Sequence, residues 1–282
     1  MTRSEVGEAA GDQRSDDARF AFGKNWQSFL SVIDDTRISE AERNLVEMLG
    51  RPSLAGLRFL DIGSGSGLSS LVARRLGARV HSFDYDRDSV ACTTELRRRY
   101  FPDDPDWQVE QGSALDADYL RSLGPFDIVY SWGVLHHTGS MWTALSNAAL
   151  PVAPGGLLFV AIYNDQGWKS RAWLRVKRLY CSGPLGKAMV RGTGFTYWFL
   201  RGLVLDLVRL RPPHRRYGEY RSARGMSMTH DWDDWLGGYP FEVARPEEIF
   251  RFYRQRGYTL EALRTYLGAT ACNELVFRRG TD

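Results

Sequence analysis

The stretch Leu60-Asp61-Ile62-Gly63-Ser64-Gly65-Ser66-Gly67, with Asp84 closing His81-Ser82-Phe83-Asp84, decides the fold. A buried-type strand over 57–62 runs into alternating glycines, and a helix pattern follows at Leu68, Leu71, Val72 and Leu76. Glycines admit positive φ and let a ligand approach the backbone closely. The helix that starts there offers unpaired N–H groups to polar or anionic atoms. Asp84, at the end of the second strand, is placed to accept hydrogen bonds from both hydroxyls of a ribose. Together these features predict a nucleoside-binding α/β domain.

Glycine spacing decides which nucleoside. The dinucleotide fingerprint needs G-x-G-x-x-G, whereas here glycines stand at 63, 65 and 67, and position 68 is Leu. No Gly-Lys-Ser/Thr follows, which excludes a phosphate-cradling P-loop. Asp61, just before the first glycine, sits badly with a pyrophosphate and suits an ammonium group. The run Asp61-Ile62-Gly63-Ser64-Gly65-Ser66-Gly67 resembles the first motif of class I S-adenosylmethionine (SAM)-dependent methyltransferases, whose glycine loop meets the methionine part of SAM.

Outward from the loop the pattern alternates: helix 66–76, strand 79–84, helix 87–100, strand 107–111, helix 116–123, strand 126–131, helix 139–150 and strand 156–162, with Pro154-Gly155-Gly156 as the turn before the last. Such alternation predicts a parallel sheet covered on both faces, with ligands at the carboxyl ends of its strands. A helix over 20–50 precedes it. A helix over 246–256 and strands over 258–265 and 273–279 follow, resembling the antiparallel edge of class I methyltransferase sheets. The expected fold is a doubly wound, seven-stranded, mostly parallel Rossmann-like sheet with an N-terminal helical cap and a helical insertion after strand five. Residues 1–19 read as a disordered tail, 20–56 as the cap, 57–165 as the SAM-binding core, 166–245 as a basic aromatic helical lid over the active site, and 246–282 as the closing helix and strands.

Composition sets the bounds. The 282 residues are 43% hydrophobic and 13% aromatic, enough for a sizeable core. No apolar run spans a bilayer, and the N-terminus resembles no signal peptide. Cys92, Cys181 and Cys272 lack metal-ligand spacing, which points to a reduced, cytoplasmic compartment. The net charge of +3 hides an asymmetry: residues 166–225 hold 14 Lys or Arg against Asp206 and Glu219, leaving the remainder strongly acidic. An anionic partner is implied for this block: a phosphorylated substrate, RNA or an anionic membrane surface.

The cofactor contacts expected are Asp61, Gly63, Ser64, Gly65, Gly67, Asp84 and Tyr85, and, after strand four, Ser131 and Trp132. Many class I methyltransferases carry Gly-Asp-Ala after strand three; this chain has Gly112-Ser113-Ala114-Leu115-Asp116. Adenine recognition is therefore assigned to the Ser113 hydroxyl and the Ala114 and Leu115 backbone. Val134-Leu135-His136-His137 resembles the post-strand-four segment of quinone and other small-molecule methyltransferases. A hydroxyl acceptor must lose its proton, and histidine titrates in the useful range. His137 is the favoured base, with His136 and His230 as the other catalytic candidates.

Ile162-Tyr163-Asn164-Asp165, Lys169-Ser170, Thr229-His230-Asp231-Trp232 and Pro246-Glu247-Glu248 are similar to segments of the ubiquinone-biosynthesis O-methyltransferases. Leu135-His136-His137 departs from their Ile-Glu-His, and the insertion is longer. The resemblance implies methyl transfer from SAM to a small acceptor, most readily a hydroxyl of a quinone, phenol or natural-product-like molecule. Trp26, Tyr163, Asn164, Trp168, Asp231, Trp232 and Tyr239 are assigned to the acceptor. His230, Asp231, Asp233 and Asp234 could suit a divalent ion, but sequential acids serve more often as a solvated loop or helix cap. No metal is assigned. The alternatives are a tRNA-modifying methyltransferase, with phosphate contacts and base stacking from the insertion, a peripheral membrane enzyme acting on a lipidic quinone, and a non-catalytic SAM-binding or interaction protein.

Overall fold

The computed structural model describes residues 33–208, 236–266 and 271–281. Its described elements, in chain order, are α1 (Asp35–Leu49), β1 (Arg58–Ile62), α2 (Leu68–Arg75), β2 (Arg79–Asp84), α3 (Arg87–Tyr100), β3 (Trp107–Gln111), α4 (Ala117–Ser122), β4 (Phe126–Trp132), a 3-10 turn (Leu135–His137), α5 (Met141–Ala148), β5 (Val152–Tyr163), α6 (Trp168–Tyr180), α7 (Pro184–Val208), α8 (Pro246–Arg254), β6 (Tyr258–Arg264) and β7 (Cys272–Arg279). The chain forms two compact units. One holds the described residues up to Ser170 and from Glu242 onward, the other those of Arg171–Phe241.

In the first unit the seven strands lie in the order β3-β2-β1-β4-β5-β7-β6. All neighbours are parallel except β7, which runs antiparallel to both β5 and β6. The doubly wound sheet and its antiparallel edge are as expected. Strand order reverses between β1 and β4, which places the ligand crevice at their carboxyl ends.

Side-chain alternation on β1 builds two cores. Phe59 joins Val80, Trp107, Ile128 and Phe159 beneath α1, α2 and α3. Leu60 and Ile62 join Val129, Leu158 and Val160 on the other face, beneath α4, α5 and α8. Helix starts follow local chemistry: Asp34, Asp86 and Asp116 each accept backbone N–H groups as N-caps of α1, α3 and α4. The α1 cap explains why the described part of the expected 20–50 helix begins at Asp35. Pro154-Gly155-Gly156, expected as a turn, lies inside β5, because Val152 already pairs with Phe126 and the register shifts between Phe126 and Ile128. An irregular strand tolerates a proline that has no N–H to donate.

In the second unit, Tyr180, Val190 and Leu236 form a small core with Trp173, Val176, Cys181 and Phe195 packed against it. The Lys177 ammonium lies 5.1 Å above the Phe241 ring.

Candidate active site

The glycine loop leaves β1 with Gly63, Gly65 and Gly67 all left-handed, at φ 79°, 55° and 81°. Gly63 is required twice over, because the Val134 side chain fills the place its Cβ would take. That contact brings the segment after β4 against the loop after β1. The N–H groups of Gly63 and Ser64 both donate to the Phe83 carbonyl, at 2.8 and 3.0 Å. Ser64 Oγ and Thr93 Oγ1 share a 2.9 Å hydrogen bond that ties the loop to α3.

Asp84 stands at the end of β2, partly buried. The N–H groups of Gly65 and Asp86 donate to its two oxygens at 2.9 Å each. Burial pushes its carboxyl up to about 6, against the opposing pull of these backbone donors. A carboxylate offers about four acceptor positions, so the backbone does not exhaust it. Tyr85, next in the chain, is exposed. Gly112 N–H donates to the Asp84 carbonyl at 3.0 Å and brings the β3 exit alongside. There the Ser113 hydroxyl accepts the Leu115 N–H at 3.2 Å, which leaves its own hydrogen to donate. Ala114 is fixed through its carbonyl by Asn147 at 3.1 Å.

Two expected ligands face inward. Asp61 projects with Phe59 beneath α2 and accepts the Ser70 hydroxyl at 2.6 Å; burial pushes its carboxyl up to about 7. Ser131 is buried and donates to the Ile62 carbonyl at 3.0 Å, holding β4 to β1 at the crevice. Trp132 is half-exposed, with its indole N–H on Glu274 at 2.8 Å. Glu274 also meets Arg264 at 3.1 Å.

The histidines separate into two environments. The turn that carries them follows Gly133 and sets three rings together at the ends of β4 and β5. His136 lies 4.1 Å from the Tyr163 ring by centroids, and His137 meets that ring edge-on at 5.5 Å. His136 is fully buried, and its Nδ1 accepts the Tyr163 N–H at 3.4 Å, which places the proton of the neutral ring on Nε2. His137 is partly exposed. Glu242 fastens this turn: its N–H donates to the His136 carbonyl at 3.0 Å, and its carboxylate accepts the Met141 N–H at 3.0 and 3.2 Å. It thus caps α5, whose N-cap Ser140 makes no side-chain bond, and burial raises its carboxyl.

Asn164 is built into the sheet edge, donating to the Tyr266 carbonyl and accepting from Asn273, each at 3.2 Å. Trp168 is exposed at the start of α6, and Tyr239 is partly buried in the second unit. Trp26, His230, Asp231 and Trp232 lie outside the described residues, as do Asp233 and Asp234. Sequence reading missed Ser70, Ser82, Glu242 and Glu274. The two serines carried a signal, small polar residues at apolar-face positions of a helix and a strand. The two glutamates carried none, because their partners are distant in sequence.

The residues at the crevice are of a kind that fits SAM: left-handed glycines that bare the backbone, an Asp84 carboxylate with acceptor capacity left over, and a hydroxyl with fixed backbone after β3. Residues 33–211 match the family described as Methyltransferase domain. A ubiquinone biosynthesis O-methyltransferase of a Caulobacter species is 32% identical over 141 residues, 48% of this chain and 51% of that protein. One from Rhizobium rhizogenes is 30% identical over 174 residues, 57% of this chain and 67% of that protein. The chain thus spans about half to two thirds of the length of these curated relatives. Among solved structures, magnesium protoporphyrin IX methyltransferase from Synechocystis with bound SAM aligns with a TM-score of 0.54 at 11% identity, over 98% of this chain and all of that one. The [4+2]-cyclase SpnF aligns at 0.52 and 11% identity, over 86% and 80%. Such distant structural likeness establishes the fold alone. The family match covers well over half of the sequence, and the chain belongs to the methyltransferase-domain family, whose cofactor is SAM.

Proposed function

We propose that this protein transfers a methyl group from SAM to a hydroxyl oxygen of a small quinone- or phenol-like acceptor. The observation that carries the reading is the His136–His137–Tyr163 ring cluster, held beside the glycine loop through Val134 and Gly63. SAM, when bound, supplies an electrophilic methyl group. Gly63, Gly65, Asp84, Ser113 and the backbone of Ala114 and Leu115 would hold it.

Displacement at a methyl is in-line, so orientation supplies much of the rate. His136, buried and committed through Nδ1, orients its neighbour. His137, reachable from the crevice, takes the acceptor's hydroxyl proton. The names of the curated relatives support oxygen as the nucleophile. His137→Ala should lower kcat by about 10²–10⁴ with SAM affinity near normal. Transfer of a labelled methyl group from SAM, traced by mass spectrometry, supplies the assay and identifies the acceptor. Full turnover by both His137→Ala and His136→Ala would remove proton abstraction from this turn.

A second reading concerns where the enzyme works. Leu185, Met189, Tyr197, Leu200, Val204 and Leu207 of α7 are 51–82% exposed and fall within an arc of about 120° on a helical projection. Lys187, Arg191 and Arg201 continue around one side, and the sole acid in α6 and α7, Asp206, is buried. An exposed apolar stripe bordered by cations suits the interface of an anionic bilayer. Among the described residues no helix is long and apolar enough to cross a membrane. Leu200→Glu with Val204→Glu should abolish co-sedimentation with vesicles containing anionic lipid. Sedimentation equal to wild type would exclude this surface.

A further inference from the structure

Behind the glycine loop, four buried polar groups form one directed chain. Trp107 on β3, Ser82 on β2, Ser70 on α2 and Asp61 on β1 are between 0% and 2% exposed. Ser70 donates its hydroxyl to Asp61 Oδ2 at 2.6 Å. Its single hydrogen is thereby used, so across the 2.6 Å contact between Ser70 and Ser82 it is Ser82 that donates. The Trp107 indole, which can only donate, gives its N–H to Ser82 Oγ at 3.0 Å. Every hydrogen therefore points toward Asp61, and bonds in such a series polarise one another. Strand alternation makes the chain possible: Asp61 shares a face with Phe59, and Ser82 with Val80, both beneath α2.

We propose that this relay is a positioning device for the cofactor site, holding Asp61 as an anion behind the glycine loop and so setting the pH below which SAM binding is lost. The proposal rests on the reading of that loop as the SAM site.

The groups facing Asp61 are Ser70 on α2, Ser82 and Asp84 on β2, and Tyr130, its register partner on β4. Tyr130 is neutral here, since burial drives its phenol well above the usual range. Asp84 is the neighbouring charge, and it opposes ionisation of Asp61. The Ser70 hydroxyl and backbone N–H favour the anion. Burial holds the two carboxyls up at about 7 and about 6, so the site carries part of a proton near neutral pH. SAM has a sulfonium and an ammonium against one carboxylate. A net cation binds best to the ionised site and expels that proton. S-adenosylhomocysteine, without the sulfonium charge, should depend less on pH.

Calorimetry of the full chain with both ligands, from about pH 5.5 to about pH 8.5 in buffers of different ionisation enthalpy, measures affinity and protons released together. Wild type should release protons on binding SAM. Ser70→Ala should move the midpoint of SAM binding up by about one pH unit, as loss of one hydrogen bond to a charged group implies, with affinity recovering at the alkaline end. Ser70→Thr keeps the hydroxyl and should restore the wild-type midpoint. Ser82→Ala and Trp107→Phe should shift it in the same direction by less, and they supply the test if Ser70→Ala does not fold. Midpoints that coincide with wild type, with SAM binding intact, overturn the relay alone. A uniform loss of affinity at every pH makes these residues structural and likewise overturns it. Wild type that binds no SAM at any pH overturns the cofactor reading and the relay with it.

Discussion

Replacing Asp84 by Asn separates what this carboxylate costs the fold from what it gives the site. Its carboxyl rises from 3.8 to about 6 on burial. Each unit is worth about 1.4 kcal/mol, so above pH 6 the ionised group costs the folded state about 3 kcal/mol. The cost is full above the folded value, declines as pH falls through about 6, and is absent below 3.8, where the group is protonated in both states. Asn removes the charge but offers one acceptor to two donors, the N–H groups of Gly65 and Asp86. Losing one of those bonds returns about 1 kcal/mol. Asp84→Asn should therefore be more stable than wild type by about 1–2 kcal/mol near neutral pH, and its advantage should vanish near pH 4. SAM affinity should nevertheless fall, by about 2–3 kcal/mol, because the ribose loses a charged acceptor. Urea unfolding between pH 4 and 8, alongside calorimetry with SAM, reads both effects. A variant less stable than wild type at neutral pH, with an unchanged pH slope, would refute the burial argument. Unaltered SAM affinity would refute the ribose assignment.

Gly63→Ala forces a left-handed backbone on a residue with a side chain and drives it into Val134. The expected loss is about 2–4 kcal/mol, seen as a lower Tm together with weaker SAM binding; a Tm equal to wild type would show that Val134 relaxes freely. Glu242→Ala removes the cap of α5, the helix that follows the turn bearing both histidines, and leaves that turn, from residue 242, only the backbone bond to the His136 carbonyl. Loss of about 1–2 kcal/mol should accompany a kcat reduced more than SAM affinity, and a kcat unchanged in a destabilised protein would make Glu242 purely structural.

Where the signal is local, the sequence alone determined the outcome. Strands 79–84 and 107–111 and the helix over 87–100 lie where their residues place them. Each is a short apolar-periodic segment bounded by its own cap or turn residues, such as Asp86 before α3. The 63–65–67 glycine spacing and Asp84 likewise anticipated a left-handed loop after β1 with a strand-end carboxylate beside it, because left-handed backbone and a strand-end carboxylate are demands on individual residues. Tertiary structure decided the rest. Nothing in the pair His136-His137 tells which ring is buried; packing against Tyr163 from β5 does. Asp61 reads as a ligand for an ammonium group until the phase of α2 sets Ser70 above it. Pro154-Gly155-Gly156 reads as a turn because its partner strand lies elsewhere in the chain. Glu242 reaches Met141 across 101 residues. Contacts of that range depend on how helices and strands settle against a shared core, and no window of sequence contains both partners.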